Sequence, residues 1–170
     1  MAIKPEFVKS AVEKSPATHP EVLFHFTSLF HLNRILTSKW ITKTESNLTV
    51  SESVRPHVVW MTDVPTLDNH GLLFQDIMPD ELNKTFYRIY IRWNNQFKLW
   101  DKWSAETGIK PETKRAIIET ARAQETYKGW YISERIIPIN DWVTIEDVRT
   151  RKVLFKWDNK KFIKIATHCL

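Results

Sequence analysis

Three glycines in 170 residues (Gly71, Gly108 and Gly129) restrict this chain more than any other feature. A phosphate cradle built from backbone N–H groups needs clustered glycines, because a Cβ keeps the main chain away from the anion. Neither G-x-G-x-x-G nor G-x-x-x-x-G-K-[ST] occurs, which argues against Rossmann and P-loop nucleotide binding. A nucleotide, if bound, has to be held by side chains and ordinary loops.

The length suits one domain over residues 1–170, with residues 1–20 read as a short helix or loose N-terminal segment. Hydrophobic residues make up 42% of the chain, enough to bury a proper core. The single cysteine, Cys169, cannot close an internal disulfide or supply a cysteine-based zinc site. That usage fits a reducing, cytoplasmic setting. No apolar leader opens the chain and no apolar run is long enough to span a bilayer, so no membrane partner is expected. His57, Asp63, Asp68 and His70 lie near one another but match no metal-ligand spacing, so no metal is expected.

The hydrophobic pattern indicates an α+β chain. Val22 to Thr27 reads as a strand, with Ser28 or Thr27 capping the helix that follows. Leu29, Leu32, Ile35 and Leu36 fall at helical spacing up to Ser38. Trp40 to Thr42 is a brief extended piece, and the polar stretch from Lys43 to Pro56 reads as a long loop. His57 to Thr62 is a second strand. Thr85 to Trp93 (TFYRIYIRW) is the clearest strand, apolar on one face and placing Arg88 and Arg92 beside rings on the other. Trp100 and Trp103 suggest a short helix ending near Gly108. Pro111 suits the start of another, drawn here to about Tyr127. Strands follow over Trp130 to Ile137, Trp142 to Val148, Lys152 to Trp157 and Phe162 to Ala166, the last two joined by a turn at Asp158 to Lys161.

Charge is uneven. Residues 1–85 sum to −2 and residues 86–170 to +7. Eight tryptophans run from Trp40 to Trp157. A basic, aromatic half suits a nucleic-acid partner, since cations meet phosphates and rings stack on bases. A solvated basic surface over buried tryptophans accounts for the same residues.

Two positions carry chemistry. His25 and Thr27 are two apart on a strand and share a face, so both can address one ligand, with Phe24 and Phe26 turned to the core behind. A satisfied core histidine is the plainer alternative. Glu134 is the odd residue in WYISERII. Period two sets it with Trp130, Ile132 and Ile136 on an apolar face, where a carboxylate must be paired or used. An ion pair with Arg88 or Arg135 is the structural alternative.

The pieces HFT plus helix, VVWMT, and YISE followed by IIP, in that order, resemble the ADP-ribosyltransferase superfamily. The opening HFTSLFHLNRIL resembles the start of its DarT-type nucleic-acid-modifying branch, and SERIIP followed by W..I resembles the stretch around that branch's catalytic glutamate. The likeness covers roughly residues 22–150. It implies two small, mainly antiparallel sheets around an NAD cleft with flanking helices. It also implies transfer of ADP-ribose from NAD, as co-substrate, to a macromolecule with release of nicotinamide. Glu134 would be catalytic, accepting a bond from the 2′-hydroxyl of the nicotinamide ribose and stabilising an oxocarbenium-like state. His25 would bond a ribose hydroxyl, with Thr27 beside it. Where many superfamily members carry a middle-strand tyrosine that stacks on nicotinamide, this chain offers Trp60, which would stack in its place or else lie in the core, and Thr62, which would mark the strand end. Arg55 would reach the pyrophosphate, with a plain surface arginine the alternative. Arg88, Arg92 and Tyr90 (with Tyr87) would contact a nucleic-acid target. A protein target, and a non-catalytic nucleic-acid-binding module, are the alternatives. By analogy such an enzyme is a toxin of bacterial or phage conflict, restrained by an antitoxin or inhibitor protein.

Overall fold

The computed structural model describes residues 19–43, 57–66, 72, 77–123, 125–158 and 160–165. Most of the polar stretch from Lys43 to Pro56, including Arg55, lies outside the described residues, as do residues 1–18.

The first elements among the described residues are strand β1 (Val22–Thr27) and helix α1 (Leu29–Ser38). Ser28 ends the strand and caps the helix: its Oγ accepts from the His31 N–H at 3.3 Å. Lys39, with φ 68°, closes the helix by donating its N–H to the Ile35 carbonyl. Strand β2 (Trp40–Ile41) follows, then β3 (Val59–Thr62), β4 (Tyr87–Arg92) and β5 (Lys98–Leu99). Helix α2 (Trp100–Glu106) ends before Gly108, whose φ of 72° is the left-handed conformation glycine adopts freely. Helix α3 (Pro111–Thr120) begins on its proline. Strands β6 (Trp130–Ser133), β7 (Ile137–Pro138), β8 (Trp142–Asp147), β9 (Lys152–Trp157) and β10 (Phe162–Lys164) follow.

Two boundaries fall short of the sequence reading. Helix α3 stops at Thr120 rather than near Tyr127, because Arg122 turns left-handed at φ 49° while Ala121 and Ala123 are pinned in the core. Strand β6 stops at Ser133 rather than Ile137. The Ser133 hydroxyl accepts from the Arg135 N–H and donates to the Arg135 carbonyl, a local turn that competes with the ladder.

Among the described residues eight strands form one antiparallel sheet in the order β10-β9-β8-β4-β1-β3-β6-β5, and β2 pairs with β7 in a second, two-stranded one. The expected pair of small sheets is thus a large sheet plus a minor one. Yet the large sheet has a seam. Six residue pairs join β1 to β4 and four join β3 to β6, but a single pair, Phe24↔Thr62, joins β1 to β3. Beyond it the two strands part.

Each face buries its own core. Leu23, Val59, Met61, Ile89, Ile91 and Ile145 form one with Leu32 and Ile35 of α1 and Ile41 and Ile137 of the β2–β7 pair. Trp130, Ile132 and Val58 form the other with Trp100 and Trp103 of α2 and Ile117 of α3. Strand alternation decides which face each side chain joins: Val58 and Val59, adjacent in the chain, enter opposite cores. Phe24 and Phe26 are only partly buried; the fully buried residue of β1 is Leu23, on the same face as His25.

Candidate functional site

The seam is where the candidate site forms. Because β1 and β3 part after Phe24↔Thr62, the Trp60 carbonyl has no ladder partner on β1. The His25 side chain takes that role, its Nδ1 lying 2.9 Å from the Trp60 oxygen. A carbonyl only accepts, so Nδ1 carries the proton and Nε2 is left as an acceptor. Burial, with Lys84 and His31 nearby, lowers the His25 pKa from 6.5 to about 4 despite the opposing pull of the Trp60 bond. His25 is therefore neutral at pH 7.

His25 and Thr27 both line a cleft of about 360 Å³ between β1, α1 and β2. His31, Arg34, Ile35 and Ser38 supply its helical wall, Trp40 to Thr42 another side, and Lys84 the approach to β4. Burial holds Lys84 below the usual lysine range. Burial, then Lys84 and Arg34, likewise lower His31. A confined cluster of groups that resist carrying positive charge is relieved by an anion, so the cleft suits a negatively charged ligand. Thr27 is buried, and His31 is fixed by the Ser28 hydroxyl at 2.8 Å from its Nδ1.

His31, Arg34 and Lys84 were not singled out from the sequence. His31, Arg34, Ile35 and Ser38 recur at three, four and seven residues, the spacing of one helix face, so the first two were findable beside the HFT strand. Lys84 sits in a turn and carries no such signal.

Other expected residues lie elsewhere. Thr62 pairs with Phe24 and so shares its face, opposite His25. Its hydroxyl accepts from the Val64 N–H at 3.1 Å, capping the strand end. The Trp60 ring joins the helix-side core, 4.8 Å from the Trp100 ring and 5.8 Å from Trp130. Neither lines the cleft beside His25; the alternation that pairs His25 with Thr27 puts both on the other side.

Glu134 is exposed rather than set on an apolar face, because β6 has already ended in the Ser133 turn. Its partner is Lys98 of β5, at 2.6 Å, not Arg88 or Arg135. The Lys98 hydrogen bond holds its carboxyl below the usual glutamate range, with Lys43 adding to the field. Glu134 is not among the residues that line the cleft beside His25 and Thr27.

Arg88 and Tyr90 are engaged internally rather than presented to a target. Arg88 and the Tyr90 hydroxyl both donate to Glu146 Oε2, at 2.9 and 2.5 Å, and Arg88 also donates to the Pro65 carbonyl. The guanidinium lies over the Phe24 and Tyr90 rings. Arg92 is exposed, and Tyr87 is buried.

Among the described residues no group of three or more His, Cys, Asp or Glu side chains gathers to hold a metal ion, and no helix is long and apolar enough to cross a membrane. Compared with protein-family models, curated proteins and solved structures, the chain matches none.

Proposed function

We propose that this chain transfers ADP-ribose from NAD to a macromolecular acceptor, a nucleic acid first, and releases nicotinamide. The observation that carries the reading is the parted seam. There a neutral His25 bridges β1 and β3 at the edge of a cationic cleft, and Glu134 follows the end of the next strand, β6. The cleft volume is within the range of small-ligand sites. In this reading Arg34 and Lys84 face the pyrophosphate, and His25 Nε2 accepts from a ribose hydroxyl.

The chemistry assigned to Glu134 fits its state. Held ionised by Lys98, it is a poor proton donor but a good partner for positive charge. As the C1′–N bond to nicotinamide breaks, its electron pair leaves with the nicotinamide nitrogen, and the ribose becomes oxocarbenium-like. A fixed carboxylate accepting from the 2′-hydroxyl stabilises that charge. The acceptor's lone pair then forms the new bond to C1′ and its proton passes to solvent, the reading giving Glu134 the role of orienting the acceptor.

A non-catalytic binding module is the second reading, and the closed Lys98–Glu134 pair favours it, since a surface ion pair explains Glu134 without catalysis. Purified protein with adenylate-labelled NAD and nucleic-acid or protein acceptors separates the two. Transfer of label that Glu134→Gln abolishes supports the enzyme, and nuclease or protease sensitivity of the product identifies the acceptor. Nicotinamide release by Glu134→Gln equal to that of the parent protein would refute the assignment.

A further inference from the structure

The β9–β10 hairpin lies at the far edge of the large sheet, beyond β8 and β4 from the cleft. Residues 149–165 hold seven Lys or Arg against one acid, a net +6 where the whole chain carries +5. Lys152, Lys156, Lys160, Lys161 and Lys164 are all exposed, and none forms an ion pair among the described residues. The neighbouring acids are occupied elsewhere. Asp158 accepts from the N–H groups of Lys160 and Lys161 in the turn, Asp147 is held by Arg149, and Glu146 by Arg88 and Tyr90.

We infer that this hairpin is a binding surface for the phosphate backbone of a nucleic acid, read without regard to sequence. Register sets the cations on both sides of the edge. Lys156 pairs with Thr144, in the row that runs through Tyr90 to Phe24, whereas Lys164 pairs with Phe155, in the row of Ile145 on the opposite face. Lys160 and Lys161 occupy the tip. A flat bilayer meets one plane and gains from apolar residues at the tip, but this tip is polar and its cations surround the edge. A chain of phosphates passing over the edge can meet all three positions. Two of the rings nearby are engaged internally: Phe155 and Phe162 stack on each other and pack against the core. Edge lysines also deter strand pairing between molecules, which accounts for Lys164 but not for the tip or Lys156. The inference extends the nucleic-acid side of the proposed function, yet the binding it names needs no NAD.

The test uses the full chain without NAD and a fluorescent single-stranded DNA of mixed sequence, followed by anisotropy across a salt series. Each phosphate contact on a single strand contributes about 0.7 to the slope of log affinity against log salt. The triple variant Lys156→Ala/Lys160→Ala/Lys161→Ala is expected to lower that slope by about 2 and weaken binding at least ~10-fold at low salt. The control Lys110→Ala/Lys128→Ala, at exposed lysines outside the hairpin, is expected to leave both unchanged. Equal slopes for the triple variant and the parent protein, or no binding by the parent at low salt, would overturn the inference. So would binding to phosphatidylserine vesicles without binding to DNA. Loss of NAD cleavage in a DNA-binding protein would instead count against the proposed function alone.

Discussion

The pH dependence of stability is the sharpest consequence of the seam. His25 titrates at about 4 in the folded protein and near 6.5 when unfolded. Its neutral form is favoured by folding, so its contribution is fully present above pH 6.5 and is lost as pH falls towards 4, where the unfolded chain takes up the proton first. Between pH 7 and pH 5 the loss from this one group comes to about 2 kcal/mol. For a chain of this size that is a fall in Tm of roughly 4–8 °C. His31 shifts in the same direction and adds to the slope. The lowered carboxylates, Glu146 and Asp147, act lower: their contributions are present above about pH 4 and are lost below it. The perturbation is His25→Asn, whose amide N–H can still donate to the Trp60 carbonyl but does not titrate. Thermal melts of both proteins, taken in steps from pH 7 to pH 5, are expected to converge as pH falls because only the parent loses the His25 term. Parallel melting curves for the two proteins over that interval would refute a half-buried, neutral His25.

Other outcomes follow from named contacts. Glu134→Gln is expected to lower nicotinamide release more than ~100-fold with a Tm within about 1 °C of the parent, since an exposed ion pair contributes under ~1 kcal/mol. Lys98→Met removes the group that holds Glu134 ionised, so the acidic limb of the NAD-cleavage profile is expected to move to higher pH. Glu146→Ala leaves Arg88 and Tyr90 without their shared acceptor and is expected to cost about 2–4 kcal/mol in urea unfolding. Trp100→Ala empties a fully buried indole site and is expected to cost about 3–5 kcal/mol by the same assay.

What was legible in the sequence had a local physical cause. The β1–α1 unit could be drawn from the Val22–Thr27 run, the Ser28 cap and the Leu29–Leu36 spacing, and it supplies both His25 and most of the cleft's helical wall. The β9–β10 turn was visible in Asp158 and its following lysines. What was not legible depended on partners distant in the chain or on side-chain competition with the backbone. Period two carried Glu134 into an apolar face because nothing in WYISE announces that the Ser133 hydroxyl ends the strand. Arg88 and Tyr90 read as a free face because Glu146, 58 and 56 residues away, is brought to them only by the β4–β8 register. The single Phe24↔Thr62 pair, which opens the seam, has no local signature at all.

Trp60 belongs to both sides of the sheet. Its ring is wedged among Trp100 and Trp130 on the helix face, while its carbonyl holds the His25 imidazole that lines the cleft. One residue thus acts as a bolt through a partition. A substitution that loosens α2 is expected to be felt across the sheet as a change in the tilt and basicity of His25, without any residue of the cleft having been altered.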